Sequence, residues 1–191
     1  MKWLQWQRHV IVRAFVSVDL DGLTEEVERL QTPLDLPGVD PVDPAGAHVT
    51  VKFLGEIGDP EPVVAALERA GETADVTPFT AQFGGYGVFP SLDYISVVWA
   101  GVERGGDELR RLHAAVERET TALGIEPADH EFTPHATLAR MRDARSKESV
   151  QELVRERDPT LGARRVEELR LTASTLTDDG PVYETVAGVS L

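Results

Sequence analysis

Two short segments set a histidine two residues before a threonine: "AHVTV" at 47–51 carries His48 and Thr50, and "PHATL" at 134–138 carries His135 and Thr137. Residues two apart on an extended strand project from the same side, roughly 6.5 to 7 Å from one another. Each segment therefore offers one imidazole and one hydroxyl to one face, while Val49, Val51, Ala136 and Leu138 point to the other. Two such strands side by side would surround a tetrahedral anion such as phosphate with two hydroxyl donors and two imidazoles. Histidine titrates near neutrality, so a neutral ring can take a proton from water while a charged ring protonates a leaving oxygen. That chemistry needs neither a metal nor a covalent intermediate.

The same alternation bears on the flanking residues. Lys52 falls on the His48 and Thr50 face, where it either adds charge at the anion or extends to solvent. Phe53 falls with Val49 and Val51 on the core side. Arg140 falls opposite His135 and needs a twist or the strand end to reach a cleft. The remaining histidines, His9, His113 and His130, lack the pattern, and His113, four residues after Leu109, reads as core or its edge. "HEFTPH" at 130–135 is no zinc-protease helix: the second histidine is one residue too late, and Pro134 would break the helix.

The elements that must hold these segments can be read from periodicity. Residues 10–19 form a strand rich in Val and Phe, and Asp21 is placed to cap a helix with Leu23, Val27, Leu30 and Leu34 on one stripe. A Pro- and Gly-punctuated loop at 37–46 leads to a strand at 47–54, and Asp59 and Pro60 open a helix to about residue 70. Strands at 78–83 and 94–102 are joined by a loop, "GGYGVFPS". A helix carrying Leu109, Leu112, Val116 and Leu123 stops at Gly124, and a strand covers 133–140. A charged helix at 146–157 is followed by strands at 165–176 and 182–190 around the turn "TDDGP". The order predicts an α+β fold in which helices cover mainly antiparallel sheets.

Composition narrows the setting. At 191 residues the chain fits one domain, and it contains no cysteine, which excludes disulfides, thiol nucleophiles and Cys-ligated metals. No apolar run approaches the roughly 20 residues of a membrane span, and the N-terminus lacks a signal-peptide core, so a cytoplasmic location is expected. The net charge is −14, and only Lys2, Lys52 and Lys147 among the nineteen Lys and Arg residues are lysines. Such a surface fits a salt-rich cytoplasm and repels polyanions, so any RNA contact must rest on local positive charge.

The blocks "RAFVSVD", "AHVTVKFLGE", "GYGVFPS", "FTPHATLAR" and "GPVYE" resemble, in that order, those of the two-histidine phosphoesterases, in particular the RNA 2′,3′-cyclic phosphodiesterase branch also called 2′-5′ RNA ligase. The resemblance runs from about Arg13 to the C-terminus, leaving residues 1–9 as an N-terminal extension. It implies a single bilobal domain over 1–191 with pseudo-twofold symmetry, two mainly antiparallel sheets and outer helices around a central cleft. It also implies hydrolysis of terminal RNA 2′,3′-cyclic phosphates to 2′-phosphates, with 2′-5′ RNA ligation as a further expectation. His48 and His135 would be acid and base, and Thr50 and Thr137 would hold the phosphate. Lys52 and Arg140 would be further phosphate contacts, and Phe89 or Tyr94 would stack on a terminal base or simply pack. No metal or cofactor is expected; the expected partners are RNA ends or small nucleotides carrying a cyclic phosphate, met by a monomer. Two departures point away from long RNA: Asp40 and Pro41 stand where the family often has a basic residue and Trp, and Leu92, Asp93 and Tyr94 where it often has arginines. The alternatives are a phosphodiesterase acting on small nucleotides such as ADP-ribose cyclic phosphate, or a nucleotide- or RNA-binding module without turnover.

Overall fold

The computed structural model describes residues 11–177 and 180–191; the expected extension at 1–9 and the centre of the "TDDGP" turn lie outside the described residues. The elements are β1 (Val12–Asp19), α1 (Thr24–Gln31), β2 (Val39–Pro41), β3 (His48–Ile57), α2 (Glu61–Thr73), β4 (Phe79–Ser91), β5 (Tyr94–Arg104), α3 (Gly106–Thr121), β6 (His135–Met141), α4 (Lys147–Glu156), β7 (Thr160–Val166), β8 (Glu168–Thr177) and β9 (Gly180–Ser190). The strands pair antiparallel in the order β7-β4-β5-β6-β3-β1-β8-β9, with β2 added against β6. The two sheets expected from the sequence are continuous, joined where Val49 of β3 faces Ala136 of β6.

One half thus comprises β7, β4, β5 and β6, and the other β3, β1, β8 and β9. Two of the helices cross between them, while α2 packs on β8 and β9 and α4 on β4 within their own halves. α1 follows β1 yet packs on β6 and β7, and α3 follows β5 yet packs on β3. Burial explains the seating: α3 presents Leu109, Leu112 and Val116, all fully buried, and α1 presents Val27 and Leu30. They meet Val49, Val51, Ala136, Leu138 and Ala139 on one face of the sheet. Removing one such leucine to Ala would cost about 2–5 kcal/mol. Gly124, with φ of +87°, ends the α3 segment as its sequence predicts.

Several elements differ from the sequence reading, each for a physical reason. Asp21 does not cap α1, because its carboxylate accepts from Arg170 Nη2 at 2.8 Å, and Leu23 stands at the uncapped N-terminus. "GGYGVFPS" is strand, not loop: Tyr86, Val88 and Phe89 pair with β5. Its glycines serve an irregularity at Gly85 (φ +65°) and let the Trp99 ring lie against Gly87. The segment expected as one strand at 165–176 is two, β7 and β8, which pair with β4 and β1 at opposite ends of the sheet. β2 was not expected at all, being three residues with a proline at its end.

Candidate active site

The sheet face away from α1 and α3 carries the paired motif residues. β3 and β6 are antiparallel with Val49 opposite Ala136, so extending that register by one residue sets His48 across from Thr137 and Thr50 across from His135. The four side chains surround the junction of the halves, with the two histidines diagonal to each other, about 8 Å apart at Cα by strand geometry.

Both strands then break alternation at the same step. In β3, Thr50 faces Ser17 and Lys52 faces Val16, leaving Val51 without a cross-strand partner on β1. In β6, Thr137 faces Trp99 and Ala139 faces Val98, leaving Leu138 without a partner on β5. Each is a β-bulge, and an extra residue inverts the facing of everything after it. Burial shows the inversion: Val51 and Lys52 are both buried, as are Leu138 and Ala139, and the next residues, Phe53 and Arg140, are exposed.

The bulges decide the flanking residues. Lys52 is not at the anion: it lies 4% exposed on the opposite face, with Nζ 2.9 Å from the Glu117 carboxylate of α3. Burial works against the charged form of Glu117, but the Lys52 contact and the Ala128 backbone N–H outweigh it and hold its carboxyl below the usual range. Arg140 is returned to the His135 side, and its charge is felt at both histidines. Its cross-strand neighbour Asp40 is engaged by Arg142 Nε at 2.6 Å. Phe53, expected in the core, is 67% exposed on the cleft side.

The two imidazoles are held alike. His48 Nδ1 lies 2.7 Å from the Gly46 carbonyl and His135 Nδ1 2.7 Å from the Thr133 carbonyl, each two residues upstream. A carbonyl only accepts, so Nδ1 carries the proton and Nε2 is the position that titrates. Desolvation pulls both rings below the ordinary histidine value. Their remaining surroundings differ. His48 has the Gly46 bond and the Asp19 charge acting upward and Arg140 acting downward. His135 has the Thr133 bond acting upward, with His48, Arg140 and His130 acting downward.

Aromatic rings wall both sites. Phe15 stacks on His48 with centroids 4.8 Å apart, and Tyr183 meets His48 edge-on at 5.2 Å. Phe89 meets His135 edge-on at 4.8 Å, and Trp99 lies 5.9 Å from it. Tyr94 is elsewhere, 70% exposed beside the turn of the β4–β5 hairpin and opposite Ser91. A cavity of about 130 Å³ beside His48 is lined by Phe15, Ser17, Asp19, Gly46, Thr172 and Tyr183. Ser17 Oγ lies 3.1 Å from Asp19 Oδ1 and 3.1 Å from Thr172 Oγ1, and Arg170 bonds Asp19 from behind. The alternation Phe15, Ser17, Asp19 signals this wall in the sequence, but five consecutive buried residues in β1 conceal it. Among the described residues no group of three or more His, Asp or Glu is placed to hold a metal ion, and no helix is long and apolar enough to cross a membrane.

Comparison with known proteins gives the family of the chain. A model of the 2′-5′ RNA ligase superfamily matches residues 20–177. An RNA 2′,3′-cyclic phosphodiesterase of Aeropyrum pernix is 39% identical over 146 residues, 76% of this chain and 82% of that protein. One of Methanothermobacter thermautotrophicus is 36% identical over 181 residues, 90% of this chain and 95% of its own. The crystal structure of TT0787 of Thermus thermophilus superposes with a TM-score of 0.75 at 29% identity, covering 94% of this chain and 97% of that one. The two His-x-Thr strands thus sit in a chain that matches the family along most of its length, and it belongs to the 2′-5′ RNA ligase superfamily.

Proposed function

We propose that the chain is an RNA 2′,3′-cyclic phosphodiesterase that opens terminal cyclic phosphates to 2′-phosphomonoesters. The observation that carries this reading is the meeting of His48, Thr50, His135 and Thr137 around the Val49–Ala136 pair. The relatives at 39% and 36% identity, both RNA 2′,3′-cyclic phosphodiesterases, support it.

The threonine hydroxyls donate to the non-bridging phosphate oxygens, and Arg140 adds a fixed positive charge. His135, without an acidic neighbour among its influences, is the base: its Nε2 takes a proton from the water that attacks phosphorus opposite O3′. His48, beside Asp19, is the acid: its Nε2 gives a proton to O3′ as the phosphorus–O3′ bond breaks. One water is consumed, and solvent resets the two rings. A single RNA end is the substrate rather than an extended strand, because a net charge of −14 opposes contact with distant phosphates.

The test is a cyclic-phosphate-ended oligonucleotide, a 2′,3′-cyclic mononucleotide and ADP-ribose cyclic phosphate offered at low and high salt, with products read by phosphorus NMR. Conversion of the oligonucleotide to its 2′-phosphate, unaffected by chelator, is the expected result. Turnover of ADP-ribose cyclic phosphate alone would move the assignment to small nucleotides, and tight binding without turnover would make it a binding module.

A further inference from the structure

A β-bulge leaves the backbone of its extra residue outside the regular ladder, and a buried carbonyl without a donor is costly. Both bulge carbonyls here receive a side-chain donor from a helix. His113 Nδ1 of α3 lies 2.8 Å from the Val51 carbonyl. Gln31 Nε2 of α1 lies 2.9 Å from the Leu138 carbonyl and 2.8 Å from that of Val42, while the Val42 N–H itself donates to Leu138 at 3.0 Å. Gln31 is 7% exposed, and the His113 ring stacks on Phe132 at 4.3 Å.

The correspondence goes further than the bonds. Gln31 and His113 are each the eighth residue of their helix. Each helix begins in one half and reaches the other: α1 follows β1 and bonds the His135 strand, and α3 follows β5 and bonds the His48 strand. What the bulges do is already plain. They send Arg140 and Phe53 to the cleft and Lys52 and Ala139 inward.

We propose that Gln31 and His113 are reciprocal positioning residues, each holding the bulge in the motif strand of the opposite half and so presenting Arg140 and Phe53 to the substrate. The proposal rests on the phosphodiesterase reading for its assay, not for its geometry. An imidazole and a carboxamide do the same work because each supplies a side-chain N–H to the carbonyl of a bulge residue.

The test uses the full chain and a 2′,3′-cyclic mononucleotide. Gln31→Met removes both donors at similar volume, and His113→Phe keeps the stack on Phe132 without the N–H. Each should lower kcat/KM by about ten- to a hundredfold well below its melting temperature, as misplacement of remote groups does. His113→Gln should recover to within about threefold, since a carboxamide already serves at the other bulge. In an Arg140→Ala background, Gln31→Met should cost no more than about twofold, because the residue it positions is gone. A His113→Gln variant as impaired as His113→Phe, or a Gln31→Met loss that multiplies fully on Arg140→Ala, would overturn the proposal. An Arg140→Ala chain of normal activity would instead overturn the role given to Arg140, and the His113 variants would then decide the proposal alone. If Gln31→Met does not fold, the wild-type chain still answers: both Gln31 side-chain amide protons should exchange slowly with solvent by nitrogen NMR, and rapid exchange of both would refute the bonds.

Discussion

Val49 and Ala136 stand opposite each other across β3 and β6, and among the described residues they are the only Cα pair joining those strands. A near-twofold axis passes between them. By strand order and connection it matches β3 with β6, β1 with β5 and α1 with α3, and each of the two central strands carries one motif histidine.

The first prediction concerns the imidazoles. His48→Ala and His135→Ala should each lower kcat on a 2′,3′-cyclic mononucleotide by about 10²–10⁴, the usual worth of general acid or base. Binding of the product 2′-nucleotide, measured by calorimetry, should change much less. Equal and modest losses in both measurements would mean that the rings bind rather than react.

The pH dependence follows from the shifts. A base works only when neutral, so the rate should rise with pH as His135 loses its proton; an acid works only when protonated, so the rate should fall as pH passes the His48 pKa. Burial lowers both, so the optimum should lie on the acid side of the unperturbed value of about 6.5. Asp19→Asn removes a charge that raises His48 and should move the descending limb to lower pH. Movement of the ascending limb to lower pH instead, with the descending limb fixed, in a kcat/KM profile, would reverse the acid and base assignments.

Lys52 should matter for stability and not for chemistry. Lys52→Met leaves the Glu117 carboxylate without its partner, and unfolding should become easier by about 1–3 kcal/mol, less than for a fully buried pair because Glu117 retains some solvent contact. Adding Glu117→Gln should recover part of the loss. Thermal melts read the first effect. Activity of the still-folded Lys52→Met chain at low temperature should stay within about threefold of wild type.

Gly87 should be intolerant of a side chain. A methyl group there would overlap the Trp99 ring, which packs near both Phe89 and His135. Gly87→Ala should therefore shift the tryptophan emission and lower kcat by about tenfold, through the position of His135. Unchanged emission with unchanged kcat would show that the β4–β5 packing does not transmit to the ring.

How far the sequence reaches is clearest at residues 48–53. Period-two alternation places His48 and Thr50 together, and the structure agrees because the strand is regular to that point. It then assigns Lys52 to the cleft and Phe53 to the core, and both are inverted, since one unpartnered residue, Val51, changes the phase. Nothing local announces that bulge: "TVKF" has no glycine, and the donor that satisfies its carbonyl is His113, 62 residues away. Arg140 is the same case in reverse, placed on the wrong face by alternation and returned by the bulge at Leu138. The glycines of "GGYGVFPS" misled for a related reason, because glycine marks close approach as often as a turn. The α+β class, the strands around the motif and the helices α1, α2 and α3 were legible because each rests on its own periodicity, and α4 was legible as a charged segment. The walls of Phe15, Tyr183 and Trp99 were not, because they are drawn from three strands that meet only in space.

The crossing of α1 and α3 has a consequence for how the molecule comes into being. A fragment ending after β3 would lack the helix that seats its own histidine strand, and a fragment beginning at β4 would lack the helix that seats the other. Neither could mature alone. Competence must therefore arrive late in synthesis and all at once, when the second strand docks and each part completes its counterpart.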